Sequence, residues 1–202
     1  MIYQLVIAIQ QNNAYFQNNQ KGLTLSQGIN IRPFQKSDSD KVIEFISDII
    51  VNEFRFKLEF DTLDSDIFAI GESYNKSNGS CFWVAETVVN DDDDDDDDDY
   101  SNTQQKQKIL GTTAVRNLKQ FESTCELKRM YVLRDFRRSG VGQKLLDIAI
   151  DFAKSVGYSR IVLDSSKALH PARALYLKNG FVDIPKYNDN YRADVFMERT
   201  LH

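Results

Sequence analysis

The sequence predicts an α/β fold built on a mixed sheet. Three patterns lead there. The first half carries short apolar runs that read as antiparallel strands. The second half reads strand, helix, strand, helix, strand. A turn holding Gly140 and Gly142 joins a strand to an amphipathic helix between them.

The elements follow in order. Ile29 to Arg32 reads as a short strand stopped by Pro33. Ser37 or Asp38 caps a helix reaching about Glu53, because Val42, Phe45, Ile46, Ile49 and Ile50 recur at helical spacing. Residues 54–75 are mixed and acidic and suit a short helix with a loop, and Asn75 to Gly79 is a turn cluster. Cys81 to Ala85 with Val88 and Val89 forms a strand, and Ile109 to Val115 the next. Together they make a hairpin whose tip is expanded from Asn90 to Lys108. Glu126 to Val132 is a further strand. Gly140 to Val156 is a helix with Val141, Leu145, Ile148, Phe152 and Val156 on one face. Tyr158 to Leu163 is a strand, and Pro171 to Asn179 a helix ended by Gly180. Phe181 to Ile184 and Asp194 to Glu198 close the sheet.

A hydrophobic share of 42% in 202 residues supports one domain with appendages. The expected division is a flexible polar leader over residues 1–28, rich in Asn and Gln, followed by a domain over 29–202. The net charge of −5 misleads, because Asp91 to Asp99 is a run of nine aspartates. Without it, 21 acidic residues face 25 basic ones, a surplus of four positive charges. Nine adjacent like charges repel and cannot pack, so residues 90–108 are expected to form a disordered acidic insertion. Calcium binding needs spaced oxygen ligands and a glycine turn, so no metal is expected there. The mild basic surplus is weak evidence for nucleic acid and is more in keeping with a modest anion site, so no nucleic-acid partner is expected. No stretch approaches the ~20 apolar residues of a membrane span, and Ile2 to Ile9 lacks the basic start of a signal peptide. A soluble cytoplasmic protein, monomer or homodimer, without a membrane partner is the expectation. Cys81 and Cys125 lack metal-ligand spacing and read as buried thiols.

The chemistry is carried by Arg137-Arg138-Ser139-Gly140-Val141-Gly142. The glycines let backbone approach a ligand closely, and the following helix aims unpaired N–H groups and its positive dipole end at that point. Two arginines add cationic donors. The combination is an anion cradle suited to a pyrophosphate. The Walker pattern and the third glycine of a Rossmann fingerprint are both absent.

The stretch CELKRMYVLRDFRRSGVGQKLLDIAIDFAKSVGYSRIVLD resembles the acetyl-CoA-binding core of the GNAT acetyltransferase superfamily, with its R/Q-x-x-G-x-G/A signature. ARALYLKNGF resembles that family's last helix, and INIRPFQKSDSDKVIEFI its first strand and helix. The resemblance implies a mostly antiparallel sheet of six to seven strands with a central splay, flanked by about four helices. It implies acetyl-CoA as co-substrate. Met130, Tyr131 and Val132 would bond the pantetheine arm. Arg137, Arg138, Ser139, Gly140, Val141, Gly142 and Gln143 would surround the pyrophosphate.

Tyr176 matches the family's general acid. A phenol can protonate the leaving thiolate, whose own pKa is near ~8.5 by analogy with cysteine. Glu126 is the first candidate for the base, acting directly or through water, and Asp164 the second. A family asparagine seven residues before the tyrosine is Leu169 here, with Ser165, Ser166 and His170 nearby. The acceptor is expected to be an amine-bearing small molecule or peptide, met by residues 38–74 and 186–192. There Glu53, Glu59, Asp61, Asp64 and Asp66 either attract a cationic amine or form a solvated face, and Tyr187 and Tyr191 would line the mouth. With no cysteine in the Arg137 to Gln143 turn or in ARALYLKNGF, direct attack in a ternary complex is expected. The alternatives are a non-catalytic acyl-CoA sensor on the same fold and an interaction protein using the aspartate run.

Overall fold

The structure is a computed structural model that describes residues 28–90 and 105–202. Its centre is a seven-stranded sheet of β1 (Asn30–Pro33), β2 (Cys81–Asn90), β3 (Gln105–Asn117), β4 (Thr124–Val132), β5 (Arg160–Ser165), β6 (Val182–Asp183) and β7 (Val195–Thr200). The spatial order is β1-β2-β3-β4-β5-β7-β6. Every pair is antiparallel except β4 with β5. That single parallel pair follows from α3 (Val141–Val156), which crosses over between them.

The other helices are α1 (Ser39–Asp48), the single turn α2 (Ile70–Ser73) and α4 (His170–Lys178). A π turn over Ile49–Glu53 prolongs α1 to the expected end. Asp38 does not cap α1. Its carboxylate accepts from the Gln35 N–H (2.8 Å) and pairs with Arg32 (2.7 Å), which also reaches Glu86 (2.8 Å). Arg32 therefore fastens edge strand β1 to both neighbours. Pro33 belongs to β1 rather than stopping it, which an edge strand tolerates.

Strand alternation divides the core into two layers. Trp83, Val115 and Leu127 face α3, where Leu146, Ala149 and Ile150 cover them. Phe82, Val84 and Ala114 face α1 and the residues after it, through Val42, Ile46, Ile67 and Tyr74. At Gly111 a side chain would lie 2.7 Å from the Tyr131 carbonyl and 2.9 Å from Leu145, so glycine is what lets α3 settle on the sheet here. The hairpin is longer than expected, because residues 105–108 pair with Thr87 to Asn90. The leader over residues 1–27 and the aspartate run lie outside the described residues. Among the described residues, no helix is long and apolar enough to cross a membrane.

Candidate active site

The site begins where β4 and β5 part. Their pairing covers only Thr124, Cys125 and Glu126, opposite Arg160, Ile161 and Val162. Past that point β4 continues to Val132 and β5 to Ser165 without pairing to each other. This is the expected splay. It opens a cleft of about 460 Å³ lined on one side by Leu127 to Tyr131 and on the other by Leu163 to Ser166.

A bulge in β4 fixes the geometry. Thr112 pairs with Tyr131 and Ala114 with Lys128, so Arg129 and Met130 together oppose Thr113. Arg129 adopts φ 52°, unusual for a residue with a side chain. Its guanidinium is buried, donating to Asp64 (3.0 Å), to both oxygens of Asp66 and to the Leu63 carbonyl (2.6 Å). Tyr74 also donates to Asp66. Asp64 and Asp66 are thus neither a solvated face nor free to draw an amine, as their position suggested. They are buried counter-ions to an arginine 63 and 65 residues away.

Burial alone would raise the Asp66 carboxyl, but the Arg129 charge and the hydrogen bonds from Arg129 and Tyr74 hold it at about 2. With the folded pKa below the unfolded one, this contribution is present above pH ~4 and is lost as pH falls toward 2, worth about 2 kcal/mol. Arg129→Met strands part of this charge. It should lower the unfolding free energy by about 3–5 kcal/mol, read from the urea midpoint.

The cradle sits at the start of α3. Arg138 (φ 64°) and Gly140 (φ 91°) take the left-handed conformation two residues apart, and a side chain on Gly140 would project into open space. The Lys144 N–H donates to the Gly140 carbonyl (3.1 Å). The leading N–H groups of α3 have no preceding helical carbonyl to serve them, and no backbone hydrogen bond from them to a distant part of the described residues is found. Unpaired N–H groups at a helix's positive end, before open space, suit an anion. The side chains contribute less than the sequence suggested. Arg137 is spent on Glu53 (2.6 Å) and the Val132 carbonyl (3.0 Å), and Ser139 donates to the Phe136 carbonyl (2.6 Å). Gln143 and Asn179 exchange hydrogen bonds (2.9 and 3.1 Å), tying α3 to α4. What this turn offers an anion is its backbone, with Arg138 exposed beside it.

Tyr176 projects from α4 into the cleft. Its hydroxyl donates to the Met130 sulfur at 3.7 Å, and its ring packs on Phe181. Burial, then the Tyr131 and Asp164 groups, push this phenol above its ordinary value. It therefore stays protonated through the physiological range and has a proton to give.

Glu126 is placed differently. It is 1% exposed and not on the cleft wall. One oxygen accepts from Arg116 (2.6 Å), the other from Tyr187 (2.9 Å) and Asn188 (3.4 Å). The arrangement offers no direct contact between this carboxylate and a group in the cleft. Asp164 does line the cleft. Tyr187 serves Glu126, and Tyr191 stands 69% exposed against Glu59, so the acceptor end is lined instead by Asn190 and Arg192. Leu169, Ser165 and Ser166 line the cleft and His170 does not. Neither cysteine lines it, and burial pushes the Cys125 thiol up to about 12. Sequence reasoning did not single out Arg116, Arg129, Asn188 or Arg192.

Comparison with known proteins shows the family and the fold. Residues 61–181 match the Acetyltransferase (GNAT) family. The chain is 30% identical over 120 residues to human N-acetyltransferase 8, covering 59% of this chain and 46% of that protein. It spans about half the length of the curated relatives it matches. A GNAT-family acetyltransferase of Staphylococcus aureus superposes with a TM-score of 0.69 at 27% identity, covering 87% of this chain and all of that one. A putative acetyltransferase of Salmonella typhimurium, solved with its cofactor acetyl-CoA, superposes at 0.62 over 87% of this chain and 95% of its own, and at 17% identity shows the shared fold. With the splayed seven-stranded sheet and the turn into α3, these matches show that the chain belongs to the acetyltransferase (GNAT) family.

Proposed function

We propose that this chain transfers an acetyl group from acetyl-CoA to a primary amine by direct attack in a ternary complex. The observation that carries the reading is the left-handed turn at Arg138 and Gly140, which opens the N-terminal end of α3 to free space beside a cleft that reaches Tyr176. The backbone of Arg138 to Gln143 would hold the diphosphate. The β5-facing edge of Met130, Tyr131 and Val132 would take the pantetheine arm, since that edge has no strand partner. Bound there, acetyl-CoA supplies an activated thioester. Tyr176 gives its proton to the sulfur that leaves, an acid held in its protonated form by burial. Glu126, ion-paired to Arg116, acts behind the wall as a fixed charge.

A panel of primary amines offered with acetyl-CoA, followed by thiol release, tests the proposal. Thiol release dependent on one or more amines is the expected result. Tight acetyl-CoA binding without turnover on any amine favours a non-catalytic sensor instead.

A further inference from the structure

Three carboxylates line the cleft: Glu53, Asp64 and Asp164. Glu53 is held by Arg137, and Asp64 by Arg129 and Arg192. Asp164 differs. Its Oδ2 accepts from the amides of Asn188 (2.6 Å) and Asn190 (3.2 Å), and both partners are neutral. Among the described residues, no cation pairs with it and Oδ1 has no hydrogen-bond partner. It is half-buried, where an uncompensated negative charge attracts a cation more strongly than on open surface.

Its position fits an approaching amine. Pairing between β4 and β5 ends at Val162, and Asp164 lies two residues beyond, where the splay is open. Leu163 packs into the core layer under α3. By strand alternation Asp164 turns to the other face, the side of α1 and the acceptor end. Tyr176 reaches the cleft from α4, and the charge of Asp164 is felt at its phenol. The groups facing Asp164 are the two amides, Tyr176, Tyr187, and Glu126 across Asn188.

We infer that Asp164 is the carboxylate that receives the acceptor's ammonium group and takes its proton, with Asn188 and Asn190 as positioning residues. This rests on the acetyl-transfer reading above. Asp164 Oδ1 accepts one proton from the ammonium nitrogen. The freed lone pair forms the C–N bond to the acetyl carbon as the C–S bond breaks. Tyr176 gives its proton to the departing sulfur, and the second proton lost by nitrogen restores the phenol. The proton on Asp164 passes to solvent, so one proton is released per turnover.

The test compares phenethylamine, protonated at neutral pH, with aniline, neutral there, in the full chain. Asp164→Asn should lower kcat/KM for phenethylamine at pH 7 by about 100-fold, the lower end of what a positioned base contributes. It should leave transfer to aniline and calorimetric acetyl-CoA binding nearly unchanged. For every alkylamine that the wild type accepts, the deficit should shrink as pH rises and free amine accumulates. Asp164→Glu, which keeps the carboxylate, should recover part of the loss. Equal losses on both amines, or a deficit independent of pH, would mean that Asp164 only supports the loop. A wild type that binds acetyl-CoA and acetylates no amine overturns the transfer reading, and this assignment with it.

Discussion

Gly140→Asp should remain folded and lose acetyl-CoA binding by about 100-fold or more, equivalent to about 2.7 kcal/mol. Two effects act in the same direction. Gly140 sits at φ 91°, and a side chain there costs about 1–2 kcal/mol of backbone strain unless the turn relaxes. Relaxation would redirect the N–H groups that form the nest. The new carboxylate would also occupy the positive end of α3 and compete with the diphosphate for the same donors. The fold itself should tolerate the change, because the added side chain meets open space and an acidic residue at a helix start is electrostatically favourable. Calorimetry with a circular dichroism control separates lost binding from lost structure. Gly140→Ala keeps the strain without the charge and should fall between the variant and wild type.

Tyr176→Phe should lower kcat by about 10²-fold or more while acetyl-CoA affinity stays within experimental scatter. The phenol hydroxyl makes only a long contact to the Met130 sulfur (3.7 Å), so its removal leaves no strong partner stranded. The ring is retained, and with it the packing on Phe181 and the α4 side of the cleft. An effect on turnover without an effect on binding is the mark of a group that acts at the reacting atoms. Loss of both together would mean that the ring, and not the hydroxyl, is what matters. The raised phenol also has a pH consequence. Activity should show no alkaline loss from Tyr176 up to the ordinary tyrosine value near ~10.

Most of the fold was legible because its signals are local. The apolar runs at Cys81 to Ala85 and Ile109 to Val115 mark the two strands of a buried hairpin. Helical spacing from Val141 to Val156 marks α3, and the glycine turn before it marks the cradle. What stayed hidden depends on distant partners. The bulge at Arg129 is held by Asp64 and Asp66, and no spacing rule links positions 63 and 65 residues apart. The same residues read as an acidic surface until their counter-ion is in place. Glu126 and Asp164 show a second limit. Both lie on central strands, and which of them meets the cleft depends on where the β4–β5 pairing stops. That end point falls at Glu126, shortly before the bulge at Arg129 and Met130 that Asp64 and Asp66 hold, a tertiary effect. The side chains of Arg137 and Gln143 illustrate a third. Residue type suggested phosphate donors, but each found a protein partner first, Glu53 for one and Asn179 for the other.

The central claim is that backbone amides opening α3 grip a diphosphate. The most direct measurement is a calorimetric titration of the full chain with coenzyme A and, in parallel, with pantetheine, which has the same thiol arm and no diphosphate. One-to-one binding of coenzyme A, with pantetheine at least about 100-fold weaker, is the predicted result. Equal affinity for the two, or no heat with coenzyme A on folded protein, would contradict it.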